Sequence, residues 1–168
     1  HVADADRFAL DTETSSLDAM ETDLVGVSLS AQAREAHYVP TPLPDGTQTA
    51  ALLDTLRPAL TNDALKVGHN LKFDLVVLAE HGLEVRGPLF DTMVAHYLIE
   101  PEASHKMDDV SSFYLSYRPQ PITDLIGTGK NAKSMRDVPI DQVGPYACED
   151  ADITFRLMDV LKAKLDED

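Results

Sequence analysis

Asp11 and Glu13 stand two positions apart in FALDTETSSLD, residues 8–18, just after an apolar run suited to a buried strand. Residues two apart in a strand project to the same side, so the two carboxylates point together while Thr12 and Thr14 face the other way. Like charges placed side by side repel, and a cation, a proton or open water must relieve them. Hard divalent ions prefer such oxygen ligands. Taken alone, the pair also fits a solvated strand end.

Two further stretches place acids at helical spacing. In NLKFD, Asn70 and Asp74 lie four apart and share a face, with Leu71 and Leu75 on the core side. The plainer reading has Asn70 as a helix cap and Asp74 exposed. In YACED, Tyr146 and Asp150 are again four apart on one face, while Glu149 and Asp152 fall on other faces as surface acids. Cys148 reads as a small core residue.

These groups need elements to position them. Residues 7–12, 24–30 and 34–40 alternate or run apolar between turn-like segments and predict an antiparallel three-strand meander. TPLPDG is a loop, and a helix starts near Thr47 or Gln48. The short strand LKVGH follows, then an amphipathic helix carrying Leu71, Leu75, Leu78 and Ala79 that ends near Gly82. GPLFD gives another short strand, and Asp91 is placed to cap the helix TMVAHYLI. Residues 107–117 and 121–126 predict shorter helices, and GTGKNAKSMRD a loop. The last helix spans roughly 145–165, buries Ile153, Leu157, Val160, Leu161 and Leu165, and is started or kinked by Pro145. The order implies an α/β sheet of mixed direction with helices on both faces.

The 168 residues, 43% of them hydrophobic, suit one compact domain. A single cysteine excludes an internal disulfide and a cysteine-based zinc site. No apolar run has the length of a membrane span, and no signal region opens the chain, so a cytoplasmic location is expected. A formal net charge of -15 argues against broad adhesion to nucleic acid, so a polyanionic substrate must be handled locally. The 20 Asp against 7 Lys also suit a halophilic surface. An opening His1 and a helical pattern running to the C-terminus predict a domain cut from a longer polypeptide.

The order D-x-E, D, Y-x3-D closely resembles the 3′-5′ proofreading exonuclease domain of bacterial family A DNA polymerase I, within the DEDD (DnaQ-like) superfamily. FALDTETSSLD is similar to its first motif, VGHNLKFD to its second and PYACEDADIT to its third. LFDTMVAHYL, HKMDDV and GTGKN are similar to its intervening segments, so the resemblance spans nearly the whole chain. The superfamily's other branch has histidine five residues before the last aspartate. Pro145 stands there, which favours the tyrosine (DEDDy) branch.

The resemblance implies a ribonuclease H-like fold and two divalent ions, Mg2+ with Mn2+ as substitute, held by Asp11, Glu13, Asp74 and Asp150. Asp11 would bridge both ions, Glu13 and Asp150 would hold the nucleophile-side ion, Asp74 the other, and Tyr146 would orient the attacking water. Leu17 is implied as a wedge against the terminal base, with His69, Asn70, Phe73 and His105 lining the substrate path. The family's frequent basic residue near Ser104 is missing, and its frequent glutamine before the second-motif asparagine is His69 here, so substrate affinity is where this chain departs. The implied activity removes nucleoside 5′-monophosphates from single-stranded or mispaired DNA 3′ ends. The implied setting is a nucleoid-associated monomer with a polymerase domain C-terminal to Asp168. A ribonuclease D-like exoribonuclease and a catalytically inactive scaffold domain are the alternatives.

Overall fold

In the computed structural model, residues 2–167 are described. β1 (Arg7–Thr14), β2 (Leu24–Gln32) and β3 (Glu35–Pro40) form the antiparallel meander. β4 (Leu65–Gly68) and β5 (Leu89–Asp91) extend the sheet in parallel with β1, giving the order β3-β2-β1-β4-β5. This is the expected mixed sheet.

Helices cover both faces. Phe8 and Leu10 of β1 pack with Leu53 and Leu60 of α1 (Thr49–Leu60) and with Leu71, Val77 and Leu78 of α2 (Leu71–Glu80). The intervening Ala9 faces the opposite way, onto Phe155 and Met158 of α6 (Ile140–Leu165). α6 also buries Ile153, Leu157 and Leu161 against α3 (Thr92–Ile99) and α4 (Met107–Leu115). Full burial of each of these aliphatic side chains contributes about 1.5–3 kcal/mol. α5 (Thr123–Ile126) and two short 3-10 turns, Gly129–Asn131 and Met135–Asp137, fill the stretch before α6. None of the helices among the described residues is long and apolar enough to cross a membrane.

Two local expectations are corrected. α6 begins at Ile140 rather than near residue 145, so of the two roles expected of Pro145, start or kink, the start is ruled out and the proline lies inside the helix. The ring removes one backbone donor, yet Val143 and Ala147 on either side are fully buried and carry the helix through, while Pro145 itself is exposed. Asn70 is not part of the helical face shared with Asp74. It is the left-handed residue before α2 (φ 64°), and its side chain makes no capping bond.

Asp91 supplies that cap. Its carboxylate accepts from the backbone N–H of Asn70 (3.1 Å) and Leu71 (2.8 Å) at the head of α2. It also accepts from Met93 (2.8 Å) and Val94 (3.3 Å) at the head of α3, the capping role expected of it. One acid thus satisfies four orphan donors belonging to two helices.

Candidate active site

β1, β4 and β5 run parallel, and their carboxyl ends share one edge of the sheet, where ligands of open α/β sheets bind. The end of β1 brings Asp11 and Glu13 to that edge, on the side that faces α6. Glu13 pairs with Gly26, but Thr14 then pairs with Leu24, so the ladder slips by one residue immediately after the second acid. Such irregularities re-aim side chains at the ends of strands.

α6 contributes Asp150 and, one turn earlier, Tyr146. Asp11, Glu13 and Asp150 each offer a carboxylate oxygen, and these three atoms lie within 4.8 Å of one another. Asp74 approaches from the first turn of α2 and is held by Thr12, whose backbone N–H (2.9 Å) and hydroxyl (2.6 Å) both donate to its carboxylate. Thr12 faces away from its two acidic neighbours, as strand alternation requires, and that orientation is what reaches α2.

Burial dominates the electrostatics of these acids, with their neighbouring carboxylates adding to it at Asp11 and Glu13. Burial pushes the Asp11 carboxyl well above its ordinary range, and the charges of Asp74, Glu13 and Asp150 push it further. Glu13 is raised to about 8 by burial and by Asp150 and Asp74. Burial raises Asp74 to about 7, with the Thr12 hydrogen bonds opposing it. Asp150 is likewise raised to about 7 by burial, against the stabilising Tyr146 hydroxyl. The Tyr146 phenol is pushed upward by burial and by the charges of Asp150, Glu13 and Asp11, so at neutral pH it stays protonated and can only donate or accept a hydrogen bond.

Asp11, Glu13, Asp150 and Tyr146 open on one cavity of about 240 Å³, which Leu17 and Phe73 also line. Leu17 is 93% exposed at its rim. Asp74, His69, Asn70 and His105 do not line this cavity, and Asp74 stands outside the close group of three carboxylates. The ring nitrogens of His69 meet the Thr92 hydroxyl (2.9 Å) and the His105 carbonyl (2.9 Å), and the His105 ring meets His96 (2.8 Å). These contacts tie α3 and the segment before α4 to the end of β4.

A larger cleft of about 580 Å³ lies beside Arg34, Tyr117, Glu149 and Arg156. Its acids already have partners. Asp152 pairs with Arg156 at 3.1 Å, and Glu149 accepts from the Tyr117 hydroxyl and from the Gln120 N–H (2.7 Å). The buried acids that raise one another's pKa line the smaller cavity, which is therefore the candidate site. Glu149, expected to be a surface acid, instead fastens residues 117–120 to α6, one position before Asp150. Its partners are 32 and 29 residues away in the chain, and no local pattern announces them. Cys148 is half-buried.

A family profile described as 3′-5′ exonuclease matches residues 1–166. The chain is 37% identical over 172 residues to DNA polymerase I of Pseudomonas aeruginosa, covering 97% of this chain and 19% of that protein. It is 38% identical over 181 residues to DNA polymerase I of Rhizobium leguminosarum, covering 94% of this chain and 18% of that one. The chain thus spans about a fifth of the length of these relatives. Brucella melitensis NrnC shares the fold at TM-score 0.78 and 24% identity, over 98% of this chain and 76% of its own, and has also been solved with bound Mg2+. Pol1 of M. smegmatis shares it at TM-score 0.72 and 22% identity, over 99% of this chain and 25% of its own. The chain belongs to the 3′-5′ exonuclease domain family of bacterial DNA polymerase I.

Proposed function

We propose that this chain hydrolyses the last phosphodiester of a single-stranded or mispaired DNA 3′ end, releasing a nucleoside 5′-monophosphate. In this reading it is the proofreading domain of a longer DNA polymerase I, with the polymerase domain C-terminal to it. The observation that carries the reading is the convergence of Asp11, Glu13 and Asp150, with ligand atoms within 4.8 Å, on a cavity shared with Tyr146.

The donor set fits hard divalent cations. All donors are carboxylate oxygens, and two of the acids, Glu13 and Asp74, are nearly inaccessible, with burial raising the pKa of each. Asp11, Glu13 and Asp150 would hold one ion, and Asp11 with Asp74 a second, Mg2+ being the natural choice and Mn2+ a substitute. Bound there, such ions lower the pKa of the attacking water and offset charge on the phosphate and the leaving 3′-oxygen.

The chain's own residues do the rest. Tyr146 is a poor base, so its hydroxyl positions the water against Asp150 rather than deprotonating it. Thr12 fixes the Asp74 carboxylate, which removes rotamer freedom from a ligand before any ion arrives. Leu17, standing free at the rim, is placed to separate the last base from its neighbour, and Phe73 offers a ring on which a base can stack.

The test is direct. Purified chain is mixed with Mg2+ or Mn2+ and a 5′-labelled single strand of DNA, with the matched RNA strand alongside. A ladder that shortens from the 3′ end, is faster on DNA and is abolished by chelator is the expected result. Faster turnover of the RNA strand moves the reading to an exoribonuclease, and no ladder with either ion defeats it.

A further inference from the structure

Among the described residues that line the acidic cavity, Lys133 is the one with a permanent positive charge. This matters in a chain of net charge -15, where a polyanionic strand must approach three carboxylates. Lys133 is exposed and makes no ion pair among the described residues. Its neighbour Arg136 is engaged, with Asp23 at 3.5 Å and the Leu24 carbonyl at 3.2 Å.

The backbone around Lys133 is held from both sides of the cavity mouth. Its N–H donates to the Ile126 carbonyl at 2.8 Å, at the end of α5. The next residue, Ser134, donates its hydroxyl to the Ser15 carbonyl at 3.0 Å, in the turn that leads to Leu17. Ile126 and Ser15 line the same cavity. The lysine is therefore carried on a strap between two walls, with its stem free to turn toward whatever enters.

We propose that the Lys133 ammonium binds a non-bridging oxygen of a substrate phosphate other than the one cleaved, and so sets affinity for the strand. The inference rests on the nuclease reading given above. The scissile phosphate belongs to the carboxylate cluster, which leaves a rim cation for a neighbouring linkage. A lysine is a flexible point charge without the planar fork that reads a base edge, so the contact is to backbone phosphate and independent of sequence.

The experiment measures steady-state cleavage of a single-stranded oligonucleotide in Mg2+ by the wild type, Lys133→Ala and Lys133→Arg over a range of salt. In Lys133→Ala, KM rises about tenfold, the scale of one charge-assisted contact, while kcat changes little. The slope of log(kcat/KM) against log[salt] becomes shallower by about 0.7, the value for one phosphate of a single strand. Lys133→Arg keeps the wild-type slope. A series of oligonucleotides with one neutral methylphosphonate linkage locates the phosphate: one linkage penalises the wild type and leaves Lys133→Ala unaffected. Unchanged KM and slope in Lys133→Ala, or the same methylphosphonate penalties in both proteins, overturns the assignment. If the wild type cuts and Lys133→Ala is indifferent, Lys133 alone is misassigned; if the wild type does not cut, the nuclease reading falls with it.

Discussion

The Asp74 carboxylate accepts both the backbone N–H and the hydroxyl of Thr12, the residue between Asp11 and Glu13. An acid on α2 is thereby tied to the strand that carries Asp11 and Glu13, across 62 residues of sequence. Thr12→Val keeps the shape and removes the hydroxyl. Loss of such an outer contact costs about 10-fold to 100-fold in metal affinity, and the expected result is a rise of about tenfold in the Mg2+ concentration for half-maximal cleavage. An unchanged magnesium dependence would show that Thr12 does not orient Asp74.

The raised carboxyls set the pH dependence of the metal-free protein. Glu13 moves from an ordinary 4.5 to about 8, and Asp74 and Asp150 from 3.8 to about 7. Because the folded pKa values lie above the unfolded ones, the fold holds these protons more tightly. Stability is fully present below about pH 4 and is lost as pH rises through about 7 to 8. In chelator, Tm falls across that window, and Mg2+ restores it most at the alkaline end, where fewer protons must leave. A flat or rising Tm in chelator contradicts the burial of these charges.

Removing a ligand and removing the phenol have different signatures. Asp11 feels the charges of all three other acids, so Asp11→Ala lowers cleavage by about 10²–10³-fold or more. Tyr146→Phe keeps the ring and loses the hydroxyl, which lowers kcat by about tenfold to a hundredfold, the scale of a misplaced reactant, and leaves strand affinity intact. Equal turnover by the three proteins ends both assignments.

Glu149 holds the Tyr117 hydroxyl and the Gln120 N–H against α6. The segment so held leads into Ile122 and Ile126, which line the acidic cavity. These bonds are exposed and contribute little to global stability. Glu149→Ala therefore speeds amide hydrogen exchange over 117–126 and lowers kcat/KM with Tm nearly unchanged. Glu149→Gln, which retains an acceptor, recovers part of both. Wild-type exchange rates in the alanine variant would detach Glu149 from the cavity.

The arrangement of the candidate site was legible where local periodicity decides orientation. Strand alternation alone puts Asp11 and Glu13 together, and four-residue spacing alone puts Tyr146 and Asp150 on one face of α6. Legibility failed where a distant partner decides. Glu149 has the local pattern of a solvated acid, and its function in the fold depends on a tyrosine 32 residues away. Pro145 read as a start or a kink because proline opposes helix, and the helix in fact begins five residues earlier, where buried Val143 and Ala147 outweigh one lost hydrogen bond. His69 belongs to the second motif and His105 to HKMDDV, but their hydrogen bonds to Thr92 and His96 turn them toward α3. Asn70 has the composition of a cap, and the capping is done by Asp91 from another strand.

Asp91 yokes α2 to α3 through a single side chain. α3, whose outer surface carries the exposed Val94, Tyr97 and Leu98, therefore shares one anchoring carboxylate with the turn of α2 that bears Asp74.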